Sequence, residues 1–156
     1  MSRRVRGDGG AAAVEFALVV PILLALLLGI VDYGLYFSDS LAVRHGIREG
    51  AREGATSIDP PCSSPTNMDC LAEDTNDRIG AVGGETFVRV ETVGTGGWRA
   101  GNELLVCAIT LGDGVTGLTP MPGPVENMVR MRIEHDTTSA TVGQTGTPPG
   151  GWAWCG

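Results

Sequence analysis

Hydrophobic positions are concentrated near the start of the chain, in one almost uninterrupted segment. Residues 16–31 read FALVVPILLALLLGIV and carry no charge, and residues 11–15 extend the stretch to 21 residues with Glu15 as its only charge. At about 1.5 Å per residue, a helix of this length measures about 30 Å, the thickness of the hydrocarbon core of a bilayer. The pattern predicts a transmembrane helix over residues 11–31.

The flanks of this segment predict its orientation. Residues 1–10 contain three arginines against one aspartate, so the positive-inside rule predicts a cytoplasmic basic leader and an exported remainder. The apolar core is longer than that of a cleaved secretory signal, and the following DYGLYFSDS offers no convincing cleavage site. We therefore expect a retained, single-pass anchor in the cell membrane.

The helix is expected to continue outside the membrane over residues 32–58. Proline is absent from this stretch, and the proline pair at positions 60 and 61 ends any helix. Small residues recur at every fourth position, among them Gly46, Gly50 and Gly54. Because such a ridge lets a second backbone approach closely, we expect these glycines to form a packing face. The alternative is a surface helix in which the glycines permit turning or fraying.

Shorter periodicities follow and predict a small exported α+β domain over residues 59–136. A short helix is expected to start near Thr66 or Asn67. Strands are predicted at residues 85–93, 102–111 and 126–136, of which the first and third alternate apolar and polar residues as half-buried strands do. We expect one small antiparallel sheet packed on the long helix, followed by a low-complexity linker over residues 137–149.

Four cysteines, all beyond the apolar segment, agree with export to an oxidising compartment. Cys62, Cys70, Cys107 and Cys155 allow two disulfides in three connectivities. We prefer a local Cys62–Cys70 loop and a Cys107–Cys155 pair that clamps the tail, residues 137–156; free buried thiols are the alternative. A zinc site is disfavoured because no two cysteines have C-x-x-C spacing.

Charge and composition restrict the classes of function. The chain of 156 residues has a net charge of −7, which argues against nucleic acid as a partner. All 11 basic residues are arginine, so chemistry that needs a lysine, such as a phosphate loop or a Schiff base, is excluded. His45 and His135 belong to no metal or triad motif, and no nucleophile elbow or dinucleotide fingerprint occurs. We expect a protein without enzymatic activity, metal or cofactor.

A more specific pattern lies where the apolar segment begins. Gly10 is followed by four residues and then by Glu15, behind a basic leader and ahead of an apolar helix. This setting resembles the type IV prepilin signal, in which a membrane peptidase cuts after the glycine. The longer string EFALVVPILLALLLGIVDYG, with Pro21 six residues after Glu15, resembles the TadE/TadG-like family of tight-adherence (Flp) pilus proteins.

Further parts of the chain resemble the same family. They are REGAREGA at residues 48–55 and the strings WRAGNELLVCAITL, LTP and VRMRIEHD in the second half. The short length favours a TadE-like form over the longer TadG proteins that carry a von Willebrand-type domain. The resemblance implies a structural minor pilin or pseudopilin of a Tad/Flp apparatus. Its implied partners are the membrane, other pilus subunits, assembly proteins and a prepilin-type peptidase.

On physical grounds, we expect roles for single residues in such a subunit. Cleavage is expected between Gly10 and Ala11, and the new amine of Ala11 would pair with Glu15, whose charge needs a partner at the membrane. Pro21 is expected to kink the helix or to remove a backbone hydrogen bond. The three packing glycines are expected to serve assembly.

Two other functions are compatible with the sequence. One is a single-pass, membrane-anchored extracytoplasmic binding module that is not incorporated into a pilus. The other is a secreted effector whose signal is cleaved. Proteins of the family can also be left uncut, so the sequence leaves the processing of this chain open.

Overall fold

The chain folds as an α+β protein with one long helix. A computed structural model describes residues 9–56, 67–81, 84–112, 116–117, 120–136 and 142–156. In chain order the elements are α1 (Gly9–Thr56), α2 (Asn67–Ile79), β1 (Glu85–Val93), β2 (Glu103–Leu111), β3 (Val125–Arg132) and β4 (Val142–Gln144). The predicted fold class is therefore confirmed: a long apolar helix precedes a short helix and a small antiparallel sheet.

The sheet has the strand order β3-β2-β1-β4, and every neighbouring pair is antiparallel. β1 and β2 pair along their whole length, from Glu85 opposite Leu111 to Val93 opposite Glu103. β3 ends earlier than the sequence pattern predicts. Beyond its end, the backbone N–H of Ile133 donates to Asn102 and that of Glu134 donates to the carbonyl of Ala55 at the end of α1.

The expectation of a linker over residues 137–149 is wrong, because this segment contains β4. Val90 lies opposite Gly143 in a short antiparallel ladder with β1. The ladder is extended by Thr145, whose N–H donates to Val88 O and whose hydroxyl accepts from Val88 N, both at 3.0 Å. β4 pairs with the edge of β1 that β2 does not occupy. A strand of three residues is too short for its sequence pattern to indicate this pairing.

Both helices lie on one face of the sheet, with α1 over β2 and β3 and α2 over β1 and β4. The alternation predicted for β1 is present, since Val88, Val90 and Thr92 are all buried. The main core fills the space between the helices and the sheet; its largest fully buried members are Trp98, Ile47, Met68, Leu71, Leu104 and Ile133.

A second, smaller core lies on the opposite face of the sheet. Leu105, Cys107 and Ile109 of β2 contact Trp152 and Cys155 of the tail there. β2 is consequently buried on both faces, and its sequence is a nearly continuous apolar run rather than an alternating one.

Candidate functional site

The first half of α1 projects from the folded domain and is apolar. Its large side chains are exposed, as in Phe16 (71%) and Ile30 (69%). Within the described part of the chain, α1 is the one helix that is long and apolar enough to cross a membrane, and the apolar window is not buried by the rest of the protein. An exposed apolar surface of this extent needs a non-aqueous environment or a partner.

The residues singled out near the start of the chain lie on this exposed half. The Gly10–Ala11 peptide bond lies in the first turns of α1, and a Cβ built at Gly10 would have open space around it. Glu15 is exposed among apolar neighbours. Pro21 lies inside the helix, where it has no N–H to donate to the carbonyl of Ala17.

The folded domain begins to contact α1 at Asp32. The Asp32 side chain has no solvent exposure, and its carboxylate accepts hydrogen bonds from the backbone N–H (3.1 Å) and the hydroxyl of Thr116. One residue further, the Tyr33 hydroxyl donates to the carbonyl of Pro120 at 3.1 Å. These contacts tie the connection between β2 and β3 to the point where α1 leaves its apolar half, and no sequence motif signals them.

The three predicted packing glycines are buried against α2. A Cβ built at Gly46 would lie 3.0 Å from Cα of Ile79, and one built at Gly50 would lie 2.8 Å from Cγ2 of Thr75. At Gly54, a Cβ would lie 2.5 Å from Cδ2 of Leu71. As the α1 number rises by four, the α2 number falls by four, so the helices run antiparallel. The glycine face is therefore occupied within the chain.

A ladder of ion pairs runs along the exposed side of this helix pair. Arg78 of α2 binds Asp74 (2.6 Å) and reaches Glu53 and Glu49 of α1. Arg52 binds Glu49 at 2.6 Å, and this hydrogen bond is the main cause that lowers the pKa of the Glu49 carboxyl. The Asp74 hydrogen bond is the main cause that raises the pKa of Arg78.

The side of α1 that faces away from α2 has no cover in the described structure. Phe37 and Leu41 are 63% and 56% exposed, and a Cβ at Gly34 would meet nothing within 4 Å. Arg44 and Arg48 continue this side towards the end of the helix and are also exposed. We call Arg44, Arg48 and Arg52 the basic face of α1.

The tail is held by a disulfide between Cys107 and Cys155, the pair expected from the sequence. Their Cα atoms are 6.0 Å apart, and the bond closes a separation of 48 residues. Cys70 is also disulfide-bonded. Cys62 lies outside the described residues, so the Cys62–Cys70 pairing stays a prediction.

Groups that could perform chemistry are dispersed. His45 and His135 are both exposed. Among the described residues, no group of three His, Cys, Asp or Glu side chains could hold a metal ion. In the described structure, α1 combines an exposed apolar half, a buried glycine face and an exposed basic face.

Comparison with known proteins bears on this same helix. Residues 10–52 match the model of the family described as TadE-like protein. The amino-terminal segment is TadE-like. No curated protein and no solved structure matches the chain significantly.

The TadE-like segment coincides with α1 almost from end to end. It covers the exposed apolar half and the part that packs on α2, and it stops four residues before the helix does. The family resemblance predicted from the sequence is confirmed for this segment. The helix that carries the match is also long and apolar enough to cross a membrane.

Proposed function

We propose that the protein is a structural subunit, a minor pilin or pseudopilin, of a Tad/Flp-type pilus assembly and secretion apparatus. The observation that carries the proposal is the match of the TadE-like model to one helix whose first half is exposed and apolar and whose second half lies in a folded domain. Residues 1–10 form the cytoplasmic leader, residues 11–31 cross the membrane, and residues 32–58 begin the extracytoplasmic part.

The continuity of α1 supports a mechanical role. A helix of 48 residues is about 70 Å long, more than twice the thickness of the hydrocarbon core. Because Asp32, Gly50 and the end of α1 are all fixed to the domain, force applied to the anchor is transmitted to the domain without a flexible joint. The disulfide-bonded tail agrees with a domain that works in an oxidising compartment.

Processing by a prepilin-type peptidase fits the start of α1. Glycine lowers helix stability by about 1 kcal/mol relative to alanine, so the first turn, with Gly9 and Gly10, unwinds readily into the extended form that a protease cleft needs. Cleavage after Gly10 gives an amine on Ala11. Residues four apart are neighbours on a helix, so this amine lies within reach of the Glu15 carboxylate of the same chain, and a neighbouring subunit offers the same pairing.

The proposal is tested in the native host, where the matching peptidase is present. We expect N-terminal sequencing of the recovered protein to start at Ala11, and the protein to co-purify with pilus assembly proteins or sheared filaments. Gly10→Val should block cleavage because the added side chain obstructs the cleft, whereas Glu15→Ala should allow cleavage and reduce incorporation.

Two results separate the alternatives. A chain that starts at Met1 or Ser2 but still co-purifies with the assembly proteins would show an uncut, permanently anchored TadE-like subunit. A chain that stays in the membrane without any pilus component would contradict the proposed function and favour an anchored binding module.

A further inference from the structure

The helix pair carries opposite charge on its two outer sides. On α1, Arg48 and Arg52 each lie two residues from Gly50, which faces α2. Residues two apart on an α-helix point about 160° apart, so both arginines lie on the side of α1 away from α2. The basic face is therefore one outer side of the pair.

The same geometry applies to α2 with the sign of charge reversed. Thr75 faces Gly50, and Glu73 and Asp77 each lie two residues from Thr75. They point about 160° away from α1, and both are exposed. We call Glu73 and Asp77 the acidic face of α2.

The two faces match in their position along the helix axes and in the spacing of their charges. The contacts of Gly46 with Ile79, Gly50 with Thr75 and Gly54 with Leu71 fix the antiparallel register. In this register Arg48 is level with Asp77 and Arg52 with Glu73. Residues four apart on a helix are separated by about 6 Å along its axis, so both ladders have the same repeat. A second copy shifted by one repeat along the helix axes brings its Asp77 level with Arg44 and its Glu73 level with Arg48.

Arg52 of the basic face is already bound to Glu49, whereas the other four charges of the two faces are available. Within the described residues, Arg44 and Arg48 on one side and Glu73 and Asp77 on the other form no ion pair. Phe37 and Leu41 extend the uncovered side of α1 towards the membrane with apolar area. A partner that carries an acidic helical ladder of the same repeat would complete this side.

We propose that this partner is a second copy of the chain, whose acidic α2 face docks on the basic α1 face in a head-to-tail contact. The contact joins two different surfaces, so each added copy leaves one face of each kind open, and the assembly grows as a row or helix rather than closing as a dimer. Exposed ion pairs are individually weak, but anchoring in one membrane raises the effective concentration of copies. The contact rests on the proposed function, because it gives the subunit its mode of self-assembly.

The test uses two differently tagged full-length copies that are co-expressed, extracted in mild detergent and captured through one tag. We expect Arg44→Glu/Arg48→Glu in both copies to lower capture about fivefold or more, and Glu73→Arg/Asp77→Arg in both copies to do the same. Co-expressing one copy with the arginine reversals and one copy with the acidic reversals should restore capture to within about twofold of wild type. In this combination, the reversed α1 face of one copy meets the reversed α2 face of the other, and their charges are again opposite. Raising the salt concentration should weaken wild-type capture.

The control reverses two exposed arginines elsewhere, Arg99→Glu/Arg130→Glu, and should leave capture unchanged. Failure of the mixed pair to restore capture would overturn the proposal. Unchanged capture when only the basic face or only the acidic face is reversed would also overturn it. A symmetric contact between two α1 helices would appear as loss with the arginine variant only and would also overturn it. If copies fail to associate while the wild-type chain still co-purifies with pilus assembly proteins, the proposed function stands and the head-to-tail contact does not.

Discussion

Gly34 and Gly50 belong to one ridge of small residues on α1, yet their surroundings differ. A Cβ at Gly34 would meet nothing within 4 Å, whereas a Cβ at Gly50 would press on the Cβ and Cγ2 of Thr75. Four residues span 400° on an ideal helix, so a ridge of this repeat drifts around the axis. Its later members thus reach α2 while its earlier members face away.

This contrast gives a prediction for Gly50. We expect overpacking in Gly50→Ala to cost about 1–3 kcal/mol. Alanine regains roughly 1 kcal/mol through its helix propensity, so the free energy of unfolding should fall by up to about 2 kcal/mol. Gly50→Leu should be worse. Thermal unfolding of the full chain in detergent measures the effect. Gly34→Ala is the matched control and should leave the melting temperature equal or higher.

A second variant tests the cause. Thr75→Ala removes Cγ2 and the hydroxyl that crowd position 50, so the double variant should be less impaired than the sum of the two single variants. An unchanged melting temperature for Gly50→Leu would contradict close packing, because the leucine side chain is much larger than the space beside Thr75.

At the scale of elements, α1 and α2 are joined by apolar contact on one side and by the ion-pair ladder on the other. Asp69 in the first turn and Arg78 in the last turn of α2 also suit the helix dipole. The ladder groups are largely exposed, and exposed pairs contribute little individually. The apolar contacts between α1 and α2 therefore contribute more to the stability of the helix pair than the ladder does, and the ladder makes that stability depend on pH.

Glu49 gives the pH prediction. Its pKa lies below the ordinary value of 4.5 in the folded state, so its contribution to stability is complete above about 4.5 and is lost as the pH falls through the lowered value. We expect Glu49→Gln to lower the melting temperature slightly at neutral pH and to match wild type under strongly acidic conditions. Glu126→Gln, at an exposed carboxylate on β3, is the control. A difference that persists at low pH would contradict this origin.

At the scale of the whole molecule, the tail completes the domain. Trp152 and Cys155 cover the sheet face opposite the helices, and Gly143 lets β4 pass close to the backbone of Met68. Asp69 also accepts a hydrogen bond from Gln144 N at 3.1 Å. Residues 142–156 are thereby attached both to the sheet and to α2, and the stability of the domain depends on these contacts.

The disulfide gives a prediction at this scale. In the chain-entropy model, a bridge across 48 residues stabilises the fold by about 4 kcal/mol. We expect Cys107→Ala/Cys155→Ala to lower the unfolding midpoint strongly, and Cys62→Ala/Cys70→Ala to lower it less because the closed loop is shorter. Denaturant titration measures both.

Thiol counting provides the accompanying check. Denatured, unreduced protein should show no reactive thiol. Two thiols would leave only the Cys107–Cys155 bridge, and four would contradict the prediction altogether.

The sequence by itself determined the features that depend on local pattern. The apolar run near the start of the chain, the short helix expected from about Thr66 or Asn67 and the alternation of β1 are all read from neighbouring residues. The structure has an exposed apolar helix, a helix from Asn67 and an alternating β1. The TadE-like segment is likewise local, because its match lies within α1. Such features follow from the period of a helix or strand and from the thickness of a bilayer.

Only the tertiary structure decided the contacts between distant segments. The pairing of β4 with β1, the binding of Thr116 by Asp32 and the choice of α2 as the partner of the glycine ridge join residues far apart in sequence. A strand of three residues is too short to be recognised from its sequence pattern. A ridge of glycines predicts that another backbone packs closely, but it does not identify which segment does so. Arg48 and Asp77 both point away from the interface between α1 and α2. The tertiary structure decides this orientation too, because it fixes which helix faces are buried when the two helices pack.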